Sequence, residues 1–203
     1  MFKKVFLLVG LLVFIFSANG VWAAAMNNFS ADMETTTSRG TMTSKMYYKD
    51  MKQRMEINTE RGQAINIVRL DKKLVWMLMP KQHMYMEMPL NMQKQGISSQ
   101  LHDPQSKVTK EFLGNDTVDG HPAKKYHVTV ITNGRKESGY MWEATDLNNF
   151  PVKYQSEDKK TTVIWKNIKF GGIPDSLFEV PAGYKKMEMP MMPGMGGPGM
   201  PRR

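Results

Sequence analysis

The first part of the chain alternates apolar and polar residues, and turn-forming residues interrupt the alternation at short intervals. Phe29, Ala31 and Met33, for example, are in phase within Asn28–Thr37. Successive side chains of a strand point to opposite faces of a sheet, so this period predicts strands with one buried face. The strands predicted here are Asn28–Thr37, Thr41–Tyr48, Gln53–Asn58 and Ala64–Leu70. Their close spacing, with a turn signal after each, indicates an antiparallel meander.

The clearest pattern follows in residues 74–90, where two runs of strand-forming residues flank the segment 80–83. A hairpin closed by those four residues fixes the cross-strand pairs on each face. The pairs predicted on one face are Met79 with Met84, Met77 with Met86, and Val75 with Met88. The pairs predicted on the other are Leu78 with Tyr85 and Trp76 with Glu87. This second face is amphipathic, and we expect it to lie nearer to water.

A sheet face lined by thioethers is unusual, because cores generally use branched aliphatic side chains, whereas methionine is flexible and adapts to irregular shapes. Three interpretations are open: ordinary core, the lining of a cavity for a flexible apolar ligand, and a Cu(I) surface. The cavity hypothesis assigns ligand contact to the hairpin residues Val75, Met77, Met79, Met84, Met86 and Met88. It adds Met55, Ile57 and Phe112 as neighbours.

The pattern is weaker after Pro89. Residues 90–101 favour neither state clearly, although a short helix fits, and residues 90–105 are expected to cover the concave face of the sheet. Residues 107–113 suit a strand or a helix, and the run from 113 to 122, with two glycines and several polar turn-forming residues, predicts a loop. Further strands are predicted at Ala123–Thr132, Lys136–Ala144, Pro151–Gln155 and Thr161–Phe170. Pro174 suits the first position of a short helical turn, with Phe178 as an apolar plug.

About ten strands and at most two short helices are therefore expected in one small domain. The predicted fold class is mainly β: a curved antiparallel sheet or half-open β-barrel, with one or two short covering helices. The predicted boundaries are a signal peptide at 1–25, the β domain at 26–184 and a tail at 185–203 that is rich in Met, Pro and Gly. We expect that tail to be disordered.

The amino terminus has the features of an export signal. Lys3 and Lys4 precede an apolar run, and small residues follow it, as in a signal peptide cleaved after Ala23 or Ala25. The run is shorter than the roughly 20 residues that span a bilayer. The expected location is therefore the periplasm, reached through the inner membrane. The sequence contains no cysteine, which excludes disulfides, thiol nucleophiles and a lipid-modified cysteine.

Charge and chemistry narrow the function classes. Removing Lys3 and Lys4 with the leader changes the formal charge from +9 to +7, and the remaining basic residues are scattered. Scattered charge argues against nucleic acid and is compatible with transient contact to an anionic membrane surface. The four histidines lack metal-ligand spacing, and no nucleophile or phosphate-loop motif occurs. A monomeric, non-enzymatic protein without cofactors is therefore expected.

The tail supports a rival hypothesis. Thioethers select Cu(I) over harder ions, and six tail methionines could supply them: Met187, Met189, Met191, Met192, Met195 and Met200. His83, next to Met84, offers a second and weaker set of soft ligands. A third possibility is a structural module of the cell envelope that holds no ligand, with methionine filling gaps in a solid core.

Three segments together resemble a known family. They are the hairpin runs WMLMP (76–80) and MYMEMP (84–89), the segment GNDTVDGHP (114–122), and the ending IPDSLFEVPAGY (173–184). With them, residues 28–184 resemble the exported DUF4412-type proteins, which are related to the LolA/LolB-like lipoprotein-localisation superfamily. This resemblance implies a half-open antiparallel barrel with a hydrophobic cavity and a helical lid. It also implies carriage of lipid or acyl chains through the periplasm.

Overall fold

The computed structural model describes residues 28–59, 62–90, 107–132 and 135–187. These residues form one sheet of twelve strands. The strands are β1 Asn28–Thr37, β2 Gly40–Lys49, β3 Lys52–Thr59, β4 Gly62–Arg69, β5 Leu74–Met79, β6 Met84–Pro89, β7 Lys107–Val118, β8 His121–Thr132, β9 Arg135–Ala144, β10 Phe150–Ser156, β11 Thr162–Phe170 and β12 Lys185–Lys186. The described helices are three 3-10 turns: Pro80–Gln82, Thr145–Leu147 and Asp175–Phe178.

The sheet is made of two meanders joined side by side. Its strand order is β12-β6-β5-β4-β3-β2-β1-β11-β10-β9-β8-β7. Pairing of β1 with β11 joins the meanders, and every pair is antiparallel except β12 with β6. Register shifts in β1, β7 and β10 mark bulges, which bend strands. The sheet is curved and its end strands do not pair, which confirms the predicted fold class.

Two sequence predictions about elements are wrong in detail. The segment 113–118 belongs to β7 and is not a loop, because Gly114, with φ +140°, lets the strand continue through a bulge. The reversal comes only at Asp119 and Gly120, both with positive φ. Residues 185 and 186 pair as β12, so the ordered chain extends past the predicted boundary at 184. The expected cover at 90–105 lies outside the described residues apart from Leu90, which is buried.

The main core lies where the two meanders meet. β1 contributes Phe29, Ala31 and Met33 at alternate positions, as its sequence period predicts. They pack with residues of the second meander, including Trp165 and Phe150, whose ring centroid lies 4.9 Å from that of Phe29 in an edge-on arrangement. Edge-on aromatic pairs add to the stabilisation that burial gives. This core therefore connects the two halves of the sheet.

A second core covers the other face of the first meander. It joins buried residues of β4 and β5 to the C-terminal segment 173–187, here called the strap. Its buried members are Ile65, Ile67, Trp76, Leu78, Ile173 and Phe178. The prediction that the face of Trp76 and Leu78 lies nearer to water is wrong: their exposed fractions are 7% and 0%. The predicted short turn after Pro174 and the plug at Phe178 are confirmed.

Basic side chains of the first meander hold the strap in place. Each donates hydrogen bonds to strap carbonyls or carboxylates. The pairs are Lys49 and Lys52 with Asp175, Arg54 with the Leu177 carbonyl, and Arg69 with the Phe178 carbonyl and Glu179. Hydrogen bonds from Lys52 and Lys49 lower the pKa of Asp175 to about 2. The strap is therefore fixed by apolar burial and by ion pairs together.

Gly139 of β9 has no room for a side chain. A Cβ atom there would lie 2.7 Å from the Gln155 carbonyl oxygen and 2.7 Å from the Tyr154 ring. We expect Gly139→Ala to lower the free energy of unfolding by about 1–3 kcal/mol, because the backbone of β10 cannot move away freely. Urea denaturation followed by circular dichroism measures the change. Lys136→Ala, at an exposed position of the same strand, is the control, and an equal loss there would contradict this explanation.

Candidate functional site

The methionine hairpin has the register that the sequence predicts. Met79 pairs with Met84, Met77 with Met86, and Val75 with Met88. The 3-10 turn Pro80–Gln82 closes the hairpin, and His83 follows it with a left-handed φ of 51°. We call the sheet face that carries these six residues the methionine face. The hairpin therefore places five thioethers and one valine on a single surface.

The two faces of the hairpin differ in burial on β5, whereas Tyr85 and Glu87 of β6 are half-buried on the face toward the strap. On the face toward the strap, Trp76 and Leu78 are buried. On the methionine face, all six predicted side chains are half-buried. A half-buried apolar face differs both from a packed core, which leaves no accessible area, and from an ordinary surface, on which large apolar side chains are scattered singly. This face thus keeps apolar area available within an otherwise well-packed meander.

Cross-strand pairing extends the methionine face across the first meander. One row runs through directly paired residues of β2 to β6: Met46, Met55, Asn66, Met77 and Met86. Met55 and Ile57, predicted as neighbours of the cavity, lie on this face two strands from β5. Their exposed fractions are 4% and 3%, and both belong to the main core. The face therefore grades from half-buried at the hairpin to buried near the middle of the sheet.

Phe112 is not near the hairpin in the sheet. It lies on β7, at the opposite end of the strand order from β6 and β12. Its exposed fraction is 54%, and its ring contacts Tyr126 edge-on at 5.8 Å between centroids. The structure therefore gathers the six hairpin residues, Met55 and Ile57 on one face, and it leaves Phe112 apart from them.

The strap borders the hairpin on its outer edge. β12 pairs in parallel with β6, and the Met187 amide donates to the Tyr85 carbonyl at 2.7 Å. Glu87 accepts hydrogen bonds from Lys186 and from the Trp76 indole, which lower the pKa of this carboxyl group. By alternation, Met187 is in phase with Lys185, which pairs with Met84 on the methionine face. The other five tail methionines lie outside the described residues.

Two buried polar atoms on the methionine face have no hydrogen-bond partner in the structure: Ser44 Oγ and Asn66 Oδ1. Ser44 pairs with Ile57, and Asn66 pairs with Met55 and Met77. Sequence reasoning did not single out either residue. The signal for Asn66 was nevertheless there, because it is in phase with the apolar Ala64 and Val68 within a predicted strand.

The described residues contain no group of three or more His, Asp or Glu side chains that could hold a metal ion. His127 pairs with Glu157 at 2.8 Å and His121 with Asp146 at 2.7 Å, and each is a contact of one histidine with one carboxylate. No helix in the described part of the chain is long and apolar enough to cross a membrane. The methionine face is therefore the candidate site that the geometry favours.

Comparisons with known proteins agree with this fold. Residues 30–150 match the model of a family described as a domain of unknown function, DUF4412. A search of curated proteins returns no match. An uncharacterised conserved protein from Thermus thermophilus has a similar structure, with a TM-score of 0.55 and 10% identity, over 81% of this chain and 93% of that one.

Two further solved structures are more distant. MucB in complex with MucA(peri) gives a TM-score of 0.45 at 11% identity, over 81% of this chain and 57% of that one. The lipoprotein LppX of Mycobacterium tuberculosis gives 0.43 at 9% identity, over 75% of this chain and 89% of that one.

Proposed function

The chain belongs to the DUF4412 family, and on that premise we propose that it is an exported, non-enzymatic protein that binds lipid or acyl chains on its methionine face. The protein acts in the periplasm, as a monomer, after removal of the signal peptide. It contacts membrane surfaces only transiently, through scattered basic residues. The resemblance of the chain to LolA/LolB-like proteins supports the same class of ligand.

One observation carries the proposal: the hairpin buries Trp76 and Leu78 on the face toward the strap and leaves six apolar side chains half-buried on the other face. Methionine suits this role, since its three rotatable bonds and polarizable sulfur let its side chain adapt to a bent acyl chain of the ligand. Burial of each ligand methylene contributes about 0.8 kcal/mol. A chain of many methylenes therefore binds tightly without any catalytic or charged group.

The direct test is native mass spectrometry of the gently purified protein, combined with titration of a fluorescent fatty acid. We expect a co-purifying lipid and saturable binding of the probe. Met86→Arg should weaken probe binding by at least tenfold, because a charge among apolar side chains must stay hydrated and so keeps the ligand out.

Met51→Arg is the matched control, because Met51 lies in the β2–β3 turn and is 49% exposed. The control should bind the probe as the unmodified protein does. A protein without lipid that also fails to bind the probe contradicts the proposal and leaves a purely structural module of the envelope. Equal binding by Met86→Arg and Met51→Arg would place the ligand elsewhere.

Cu(I) binding is a second candidate function. It is favoured by the position of Met187 beside β6. Met187 lies two residues after Lys185, which pairs with Met84, so both are on the methionine side of the strand. A bicinchoninate competition with Cu(I) tests it in the full chain and in a variant with all six tail methionines changed to leucine. Affinity that disappears in the variant supports a tail site. If neither protein binds Cu(I), this candidate function is rejected.

A further inference from the structure

Asn66 is a polar residue in the middle of the thioether row. On β4 it pairs with Met55 on one side and with Met77 on the other. Its amide oxygen is buried and has no hydrogen-bond partner. Buried polar atoms in folded proteins are nearly always paired, and leaving one unpaired is unfavourable. An apolar residue would fit this position better if the face served packing alone.

In the part of the chain that the structure describes, the rows of the methionine face around Asn66 carry no charged side chain between β1 and β6, and Lys185, opposite Met84, lies three strands from β4 on β12. The three rows of paired residues nearest to it on the methionine face cross the first meander from β1 to β6. At the described positions of these rows, the polar side chains are Ser44, Gln53, Asn66 and Tyr48, and all of them are uncharged. A carboxylate or phosphate placed beside Asn66 would have no counter-ion among these described residues, and burying an unpaired charge is strongly unfavourable.

From these two observations we infer that Asn66 recognises the polar group of the ligand, and that this group is an uncharged hydrogen-bond donor. The inference rests on the proposed function and narrows its ligand class. The ligand is a neutral amphiphile with a hydroxyl or amide group, such as a fatty alcohol or a monoacylglycerol. Its hydroxyl or N–H donates to Asn66 Oδ1, while the acyl chain lies along the methionines. A carboxylate would instead bring a second acceptor against that oxygen.

Accessibility distinguishes Asn66 from Ser44, the other residue with an unpaired buried atom on this face. Ser44 is 7% exposed and lies beside Met33 and Ile57, which are both in the main core. Asn66 is half-buried as a residue and lies beside Met77 of the hairpin, which is half-buried too. Asn66 therefore borders the half-buried part of the methionine face through Met77, whereas both paired neighbours of Ser44 belong to the main core. Ser44→Ala is therefore a matched control.

The test is displacement of a fluorescent fatty-acid probe by C16 compounds that differ only in the polar group: hexadecanol, monohexadecanoylglycerol and hexadecanoate. We expect the two neutral compounds to bind about tenfold more tightly than hexadecanoate, which is the size of one additional hydrogen bond. Asn66→Leu should reduce this preference to near one. Ser44→Ala should keep it. If the leucine variant does not fold, Asn66→Met, which continues the row of methionines, replaces it in this test.

The outcomes separate the two proposals. If the probe and all the C16 compounds fail to bind, both proposals are overturned. If the compounds bind but hexadecanoate binds as tightly as hexadecanol, or if Asn66→Leu keeps the tenfold preference, only the role of Asn66 is overturned. Thermal unfolding of the same variants gives a check that does not depend on ligand. Asn66→Leu should melt at the same temperature or higher, because it removes the unpaired buried oxygen.

Discussion

Replacing Phe178 with alanine is expected to lower the free energy of unfolding by about 3–5 kcal/mol. The ring of Phe178 is fully buried, and it packs in one cluster with Ile65, Trp76 and Leu78. Truncation removes the apolar transfer energy of the ring and leaves a cavity that the sheet cannot fill, because its strands are fixed by pairing. Urea denaturation, followed by tryptophan fluorescence and by circular dichroism, measures this loss.

The loss should be specific to the strap. Phe112→Ala is the matched control, because the ring of Phe112 is 54% exposed, and its change should stay within about 0.5 kcal/mol. In Phe178→Ala, the amides of Lys185 and Met187, which donate to His83 and Tyr85 carbonyls, should also lose protection from hydrogen exchange. Protection that survives a large loss of stability would mean that β12 holds the strap without the plug.

Release of the strap should also affect the proposed binding site. β12 is the outer neighbour of β6, so without it β6 becomes an edge strand with unpaired backbone groups. We therefore expect Phe178→Ala to bind the fluorescent fatty acid more weakly, although Phe178 lies on the opposite face of the sheet. This effect is conformational, since Phe178 packs in the second core, on the face of β4 and β5 opposite to the methionine face.

Local signals made parts of this structure predictable. The hairpin register follows from two facts of the sequence, a period of two and a four-residue connection, and every predicted pair is present. Pro174 and Phe178 were recognisable because proline suits the start of a helical turn and an isolated large apolar residue needs a place in a core. In each case, a few adjacent residues contain enough information.

Other features depend on contacts between distant parts of the chain. Trp76 and Leu78 were expected near water because Tyr85 and Glu87 share their face, but the strap, about 100 residues later, covers them. The strand 113–118 was missed because a glycine signals both a loop and a bulge. The importance of Asn66 appears only when the register places it between Met55 and Met77.

Arg69→Met is the second change with a large expected effect, about 2–4 kcal/mol of lost stability. The guanidinium is buried, donates to the Phe178 carbonyl at 3.1 Å, and pairs with Asp71 at 2.6 Å and with Glu179. Methionine keeps the apolar stem but leaves the Phe178 carbonyl and Asp71 without this partner, and it leaves Glu179 with Lys72 alone. We expect a smaller loss of stability than for a fully buried ion pair, because both carboxylates are partly exposed and remain hydrated.

The pH dependence of the unfolding free energy distinguishes a loss of these ion pairs from a loss of packing alone. The hydrogen bond from Arg69 lowers the pKa of Asp71. Burial raises the pKa of Glu179, but hydrogen bonds from Arg69 and Lys72 outweigh it and lower that pKa overall. A carboxyl group whose pKa is lower in the folded state contributes stability above its unfolded pKa, and this contribution is lost as the pH falls through the folded pKa. The unfolding free energy of the unmodified protein should therefore fall below about pH 4.5, and that of Arg69→Met should fall less steeply.

The double variant Arg69→Met/Phe178→Ala tests whether the strap docks as one unit. If releasing either contact frees the whole segment, the second change removes interactions that are already lost, so the combined loss should be clearly smaller than the two single losses together. Denaturation of the four proteins at neutral pH gives this coupling directly. Full additivity would mean that Arg69 and Phe178 hold the strap independently, and ligand binding should then respond to each change separately.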